Sequence, residues 1–94
     1  MNYLSLEPFL TQYPDWRLRG TKLHREYVFK DFVQAFGFMS QVALLAERAN
    51  HHPDWSNSYN RVSIDFTTHD AQSVTGKDLA LAVAIEKVWL RLNS

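Results

Sequence analysis

A long amphipathic run that stops at a proline constrains the fold more than any other feature of this sequence. Its apolar residues are Phe32, Ala35, Phe36, Met39, Val42, Ala43 and Ala46. Their spacing of three and four indicates a helix of about five turns with one apolar face. Asp31 is a candidate N-cap, and Asn50 can adopt the left-handed conformation that closes a helix. Because Pro53 cannot continue a helix, the run is predicted to end at His51 and His52.

Alternating segments on both sides of this helix predict two β-hairpins. Residues 16–19 and 22–30 alternate around a Gly20–Thr21 turn, with Arg25 on the apolar side. Residues 61–67 alternate clearly, and residues 55–60 are the predicted shorter partner. Together these segments account for four strands.

Two further helices are predicted at the ends of the chain. Ser5 can cap a short helix through about Tyr13. Thr75 and Asp78 form a capping-box pattern before a helix that is apolar nearly all round. The order helix, two strands, helix, two strands, helix predicts an α+β fold with a four-stranded antiparallel sheet and helices on one face. The 94 residues fit a single domain over 1–94.

Composition excludes several classes of function. The chain has 10 basic and 10 acidic residues and no basic stripe, which argues against nucleic acid or anionic lipid as a partner. It has no cysteine, so disulfides, thiolate catalysis and cysteine-based metal sites are excluded. Without a signal peptide or an apolar run of about 20 residues, we expect a cytoplasmic protein with no membrane span. The last helix has more apolar surface than one sheet can cover, which predicts contact with another subunit.

Histidines and carboxylates are concentrated near the predicted end of the long helix. His51 and His52 follow that end, and His69 comes after the last strand. Glu47 lies four residues before His51, so one helical turn can bring its carboxylate up to one of the rings. An unperturbed histidine has a pKa of about 6.5, and an imidazole oriented by a carboxylate is a common general acid or base. The carboxylates nearby in the sequence are Glu47, Asp54, Asp70 and Asp78.

Structural interpretations of the same residues stay open. The histidine pair fits a polar helix end, and Asp78 has a sufficient role as a cap. Asp70 fits an ordinary turn, Lys77 an ordinary surface charge and Trp55 a cover over the helix.

Other residues are predicted to have no role at a site. A zinc site is disfavoured because adjacent histidines rarely direct both rings at one ion. His24 is predicted to be a solvated strand residue. We expect the aromatic stripe in the long helix to be core, which comprises Phe32, Phe36, Phe38 and Met39.

A specific set of residues resembles a known family over about residues 20–90. The set is Asp31-Phe32, Ala35-Phe36-Gly37-Phe38-Met39, Val42-Ala43, Ala46-Glu47, His51-His52-Pro53-Asp54-Trp55, Tyr59-Asn60, Val62, Ile64, Thr68-His69-Asp70, Thr75 and Asp78-Leu79. In this combination the sequence resembles the pterin-4a-carbinolamine dehydratase family. The resemblance implies dehydration of 4a-hydroxytetrahydropterin to quinonoid dihydropterin, which recycles the cofactor of aromatic amino-acid hydroxylases. It also implies an α+β fold that assembles into homodimers or homotetramers.

The resemblance also implies roles for individual residues. His51, His52 and His69 are the implied catalytic histidines, with no metal, nucleotide or other cofactor. Our hypothesis for their division of labour is that His51 and His52 donate the proton at C4a and His69 accepts the proton from N5, and the sequence leaves open which histidine is the acid and which the base. Glu47 and Asp78 are implied to orient the histidines, and Trp55 to close one side of the site. The backbone of the segments His51-His52-Pro53 and Thr68-His69-Asp70 is implied to contact the polar edge of the pterin ring. Lys77 is a further implied substrate-binding residue, at a position where animal members of the family tend to carry Arg.

A second function stays open on the same fold. Some animal members of the family also bind and stabilise dimers of a homeodomain transcription factor. The resemblance therefore admits a protein-interaction module, either a dimerisation cofactor or an assembly chaperone, with a protein partner. The retained histidines favour the enzyme, because a chaperone has no use for them.

Overall fold

The computed structural model describes residues 6–93. Its elements are α1 (Glu7–Gln12), β1 (Arg17–Arg19), β2 (Lys22–Val28), α2 (Phe32–Ala49), β3 (Asp54–Ser58), β4 (Arg61–Phe66) and α3 (Gly76–Leu92). This order confirms the predicted sequence of helices and strands. The proposed cap Ser5 lies outside the described residues. None of the helices over residues 6–93 is long and apolar enough to cross a bilayer.

The four strands form one antiparallel sheet in the order β1-β2-β4-β3. Strands β2 and β4 occupy its centre, with Leu23 opposite Phe66 and Tyr27 opposite Val62. These four side chains are buried on one face, where α2 packs against both β4 and α3. The helices therefore cover one face of the sheet, as the alternation predicted, and this is an α+β fold.

Helix α2 is closed at both ends by the predicted caps. Asp31 accepts a hydrogen bond from the Gln34 backbone N–H at 2.8 Å, which satisfies one of the free N–H groups of the first turn. Asn50 has a φ of 51°, and its N–H reaches the carbonyls of Ala46 and Glu47. A left-handed residue at this position stops the helix and redirects the chain towards β3.

The buried face of α2 is narrower than the sequence predicted. Ala35, Phe38, Val42 and Ala46 form it. Phe32 and Phe36 are 48% and 58% exposed and Ala43 is also exposed, so the prediction that they belong to the core is wrong. Apolar residues occupy more of the helix surface than a single sheet can contact, and α2 is oriented so that the Phe38 side enters the core.

Uncovered apolar surface lies mainly on α2, whereas the sequence placed it on α3. Leu90 is the only large apolar residue of α3 that is exposed within the described residues. The exposed large apolar side chains of α2 are Phe32, Val33, Phe36 and Leu44.

A buried polar cluster joins α3 to the sheet and to the segment before β1. The Glu86 carboxylate accepts hydrogen bonds from Trp16 Nε1 at 3.1 Å, from Arg25 at 2.6 Å and from the Tyr27 hydroxyl. Burial, reinforced by Glu86, raises the pKa of Tyr27 well above its ordinary value. Arg25 lies on the apolar face of β2, as predicted, and its charge is paired there with Glu86.

His24 is not the solvated strand residue that the sequence predicted. It is 6% exposed, and its Nδ1 lies 2.9 Å from Asp65 on β4. Arg19 lies 3.4 Å from its other ring nitrogen. The pair forms on the sheet face opposite the helices, between residues that are 41 positions apart, so no local pattern reveals it.

Candidate active site

The end of α2 and the start of α3 meet at one carboxylate, that of Asp78. The left-handed turn at Asn50 returns the chain so that the His51 N–H bonds to the Ala46 carbonyl at 3.1 Å. His51 then directs its Nε2 at Asp78 Oδ1, 2.5 Å away. The Asp78 side chain is completely buried. An ion pair or short hydrogen bond in such surroundings is stronger than one at the surface.

The remaining contacts of Asp78 fix its carboxylate in place. Its Oδ2 accepts from the Thr68 hydroxyl and from the Thr75 backbone N–H, both at 2.8 Å. The second bond belongs to the predicted capping box, which the structure confirms. Because the Thr68 proton is used on Asp78, the 2.6 Å contact between the two threonine hydroxyls is donated by Thr75. The carboxylate is therefore held from three directions.

This arrangement defines the state of the His51 ring. A carboxylate accepts hydrogen bonds, so Nε2 carries a proton and Nδ1 is the atom free to gain or lose one. Nδ1 has no partner among the described residues, and the Nε atom of Arg25 is their only fully buried unpaired side-chain nitrogen or oxygen. The Nδ1 atom is therefore open to solvent or a ligand. The His51 ring also stacks on Phe66, with centroids 5.8 Å apart and an interplanar angle of 13°.

His52 has a different environment from His51. Its Nε2 lies 3.0 Å from Glu47 Oε1. The two side chains are 56% and 81% exposed, so water screens the contact. Glu47 was expected to reach one ring of the pair, and the ring it reaches is that of His52, whereas His51 is held by Asp78.

The loop between β4 and α3 carries the third histidine. Thr68 pairs with Ser73, with its N–H bonded to the Ser73 carbonyl at 2.9 Å, and His69 and Asp70 form the exposed tip. Gln72 completes the turn with a φ of 53°. Thr68 joins this loop to Asp78, so His69 directly follows a residue of the network. The side chains of His69 and Asp70 form no hydrogen bond or ion pair with residues 6–93.

Three other residues named in the sequence analysis lie in β3 or just before it. Trp55 is half-buried on β3 opposite Ile64, on the face of the sheet that the helices cover. Pro53 is half-buried between His52 and β3. The carboxylate of Asp54 forms an exposed pair with Lys22 at 3.5 Å.

A cavity of about 500 Å³ opens beside His51, between the last turns of α2 and the first half of α3. Its apolar lining consists of Leu45, Ala49, Ala80, Leu81 and Ala84. Arg48, His51 and Lys77 contribute the polar part of the lining. Small-molecule pockets in proteins typically measure about 300–1,000 Å³ and combine an apolar wall with a few polar groups.

Sequence analysis missed three contributors to this region. Thr75 was identified as a cap, yet it also positions the Thr68 hydroxyl. Phe66 lies in the alternating segment 61–67 and supports the His51 ring, and Arg48 was not singled out. Nothing in the local pattern connects these residues, because each contact joins separate elements. No group of three or more potential metal-ligating side chains occurs in the part of the chain that the structure describes.

Comparison with known proteins shows which family the chain resembles. The family model described as Pterin 4 alpha carbinolamine dehydratase matches residues 3–88. A curated relative from Rhodospirillum rubrum, with the name "Putative pterin-4-alpha-carbinolamine dehydratase", is 51% identical over 86 residues. The match covers 89% of this chain and 90% of that relative.

Two solved structures share the fold. A "transcriptional coactivator/pterin dehydratase" from Brucella melitensis has a TM-score of 0.82 and 36% identity, covering 93% of this chain and 98% of that chain. A pterin dehydratase-like protein described as a RuBisCO assembly factor in the alpha-carboxysome has a TM-score of 0.65 and 18% identity, covering 78% and 84%. The second likeness concerns the fold alone. The family match, the Rhodospirillum rubrum relative and the Brucella melitensis structure show that this chain belongs to the pterin-4a-carbinolamine dehydratase family.

Proposed function

We propose that this protein dehydrates 4a-hydroxytetrahydropterin to quinonoid dihydropterin by histidine acid–base catalysis. The observation that carries the proposal is the buried Asp78 carboxylate bonded to Nε2 of His51, which leaves Nδ1 accessible beside a cavity. A carboxylate that holds an imidazole in one tautomer is the arrangement that general acid–base catalysis requires. Family membership supports the same reaction.

The reaction needs two proton movements. One imidazolium donates a proton to the 4a-hydroxyl as the C4a–O bond breaks, so that water leaves instead of hydroxide. One neutral imidazole accepts the proton from N5, and the electrons of that N–H bond form the C4a–N5 double bond. Each well-placed proton transfer contributes about 10²–10⁴-fold to the rate. No metal, nucleotide or covalent intermediate enters this balance.

We propose a division of labour among the three histidines, and the contacts of His51 and His52 support their part in it. His51 and His52 supply the proton at C4a, and His69 accepts the proton from N5. His51 has the strongest case, because Asp78 and Phe66 fix its ring. His52 is assisted by Glu47 through an exposed contact. Trp55 and Lys77, with the backbone of Pro53, Thr68 and Asp70, are the proposed substrate contacts. A cytoplasmic location and a single domain over 1–94 stay predictions from the sequence.

The test uses purified protein mixed with freshly generated 4a-hydroxytetrahydropterin, with absorbance reporting the quinonoid product. We expect wild-type protein to accelerate its appearance, and alanine at His51, His52 or His69 to reduce the acceleration. The matched control is His24→Gln, since His24 contacts Asp65 on the opposite sheet face. Equal turnover by the wild type and by a variant lacking all three site histidines would refute the proposal.

A second function is favoured by the apolar surface of α2. Phe32, Val33, Phe36 and Leu44 are exposed there, and Val33 and Leu44 are 78% and 73% exposed. Surface of this kind commonly mediates protein association. We therefore propose that the chain forms a homodimer or homotetramer through α2. The Brucella melitensis relative is described as a transcriptional coactivator as well as a pterin dehydratase. A foreign protein partner, for dimerisation or assembly, is therefore the alternative.

Purification of the wild-type protein and of a variant in which the three site histidines are replaced distinguishes these possibilities. If the interaction role dominates, a stoichiometric foreign protein will be retained by wild-type chain and by a variant without the three site histidines. If the chain associates only with itself, light scattering will give a multiple of the single-chain mass and no second protein will be present.

A further inference from the structure

We propose that the cavity beside His51 receives the 6-substituent of the pterin and favours a substituent that ends in carboxylates, as in reduced folates. This inference rests on the proposed function, because it assigns a substrate class to the same site. The cavity has an apolar wall and two cationic side chains, Arg48 and Lys77.

The first argument is charge. Neither Arg48 nor Lys77 forms a hydrogen bond or an ion pair through its side chain within residues 6–93, although seven ion pairs occur elsewhere in that range. Among the described residues that line the cavity, none is Asp or Glu. Lys77 also lies in the first turn of α3, where the helix dipole adds partial positive charge. An anionic group would therefore meet two side-chain cations that have no acidic partner among the described residues, with the charge of Arg48 partly offset by the negative end of the α2 dipole.

The second argument is shape. The cavity volume of about 500 Å³ fits a drug-sized molecule, whereas the fused pterin ring is only the reacting portion of such a molecule. Three alanines, Ala49, Ala80 and Ala84, leave room between the helices. Together with Leu45 and Leu81 they form a wall suited to a flat apolar ring. A p-aminobenzoyl group followed by glutamate has this sequence of an apolar ring and then carboxylates.

The third argument is position. His51 lines the cavity and is also the histidine that Asp78 orients. When C4a of the pterin faces this imidazole, the cavity therefore lies beside the ring and can receive the 6-substituent. A short neutral substituent leaves the cationic part of the groove unused.

Binding is measured by calorimetry with 7,8-dihydrofolate and with 6-methyl-7,8-dihydropterin, which shares the ring and lacks the anionic tail. We expect wild-type protein to bind dihydrofolate more tightly by about fivefold or more, a preference that salt weakens. Arg48→Gln should reduce the affinity ratio about two- to threefold, as expected for one exposed charge contact. Lys87→Gln is the control, because Lys87 is an exposed cation of α3 outside the cavity.

A space-filling pair of variants tests the shape argument. Ala80→Leu should reduce dihydrofolate binding several-fold more than methylpterin binding, whereas Ala80→Ser keeps the space and should keep the ratio. Equal wild-type affinities, no binding of either ligand, or a ratio unchanged in both Arg48→Gln and Ala80→Leu would overturn the inference. Binding does not depend on turnover. The binding preference can be observed even if the protein fails to dehydrate 4a-hydroxytetrahydropterin. In that case the assignment of the cavity stands and the proposed reaction fails.

Discussion

Replacing Asp78 with asparagine removes one negative charge and preserves nearly all of the side-chain volume. Asp78 Oδ2 accepts two hydrogen bonds at 2.8 Å, and the asparagine carbonyl can accept both. Its amide NH₂ must then face His51, whose Nε2–H also donates. Two donors cannot bond, so His51 must move its proton to Nδ1 to restore a hydrogen bond. The variant therefore reverses the tautomer of the proposed catalytic ring.

The expected loss of activity follows from this reversal. A misoriented general acid or base costs about 10²–10⁴-fold, and in the serine-protease triad the same Asp-to-Asn change lowers kcat about 10⁴-fold. The stability cost is smaller. Weakening charge-assisted bonds to a buried carboxylate costs about 1–3 kcal/mol. For a domain of this size each kcal/mol lowers Tm by about 4–8 °C.

The assay combines turnover of 4a-hydroxytetrahydropterin with thermal unfolding followed by circular dichroism. Two control variants separate catalysis from stability. Asp65→Asn makes the same chemical change beside His24, on the opposite face of the sheet. Asp31→Ala removes the N-cap of α2 at a cost of about 1 kcal/mol and leaves the contacts of Asp78 intact. Activity in Asp78→Asn that falls no further than in these controls would show that Asp78 only stabilises the fold.

Three further predictions concern other parts of the molecule. Burial and Glu86 raise the pKa of Tyr27. Above about pH 10 the unfolded chain therefore loses a proton that the folded chain keeps, and the free energy of unfolding should fall by about 1.4 kcal/mol per pH unit. The free energy of unfolding measured with urea between about pH 9 and 11 should therefore decrease more steeply with pH in the wild type than in Tyr27→Phe. Equal slopes in the two proteins would contradict this. His52→Ala should lose less activity than His51→Ala in the same turnover assay, because the His52 contact is exposed; the reverse order would contradict the assignment. Phe36→Ser combined with Leu44→Ser should lower the mass measured by light scattering towards that of a single chain, whereas an unchanged mass would place the interface elsewhere.

Local signals predicted the helices and strands well, because each depends on a few neighbouring residues. The cap at Asn50, the capping box from Thr75 to Asp78 and the alternation of β4 are confirmed by the structure. The burial of α2 was predicted less well. Its apolar residues cover too much of the helix, and only packing against the sheet decides that Phe38 is buried and Phe36 exposed.

The site was predictable in its residue types and not in its pairings. Asp78 and His51 are 27 positions apart, and the capping-box pattern already explained Asp78 as a helix cap. Glu47 was expected to reach the histidine pair, but the turn at Asn50 decides which ring it reaches. His24 was misjudged for the same reason, since its partner Asp65 comes from another strand.

The most direct test of the proposed chemistry is a single-turnover measurement with His51→Gln. The glutamine amide nitrogen can occupy the position of Nε2 and donate to Asp78, so the buried network and the Tm should be preserved to within a few degrees. Glutamine cannot transfer a proton at neutral pH. We predict a rate of quinonoid product formation at least about 100-fold below that of wild type. A rate within threefold of wild type would contradict a catalytic role for this imidazole.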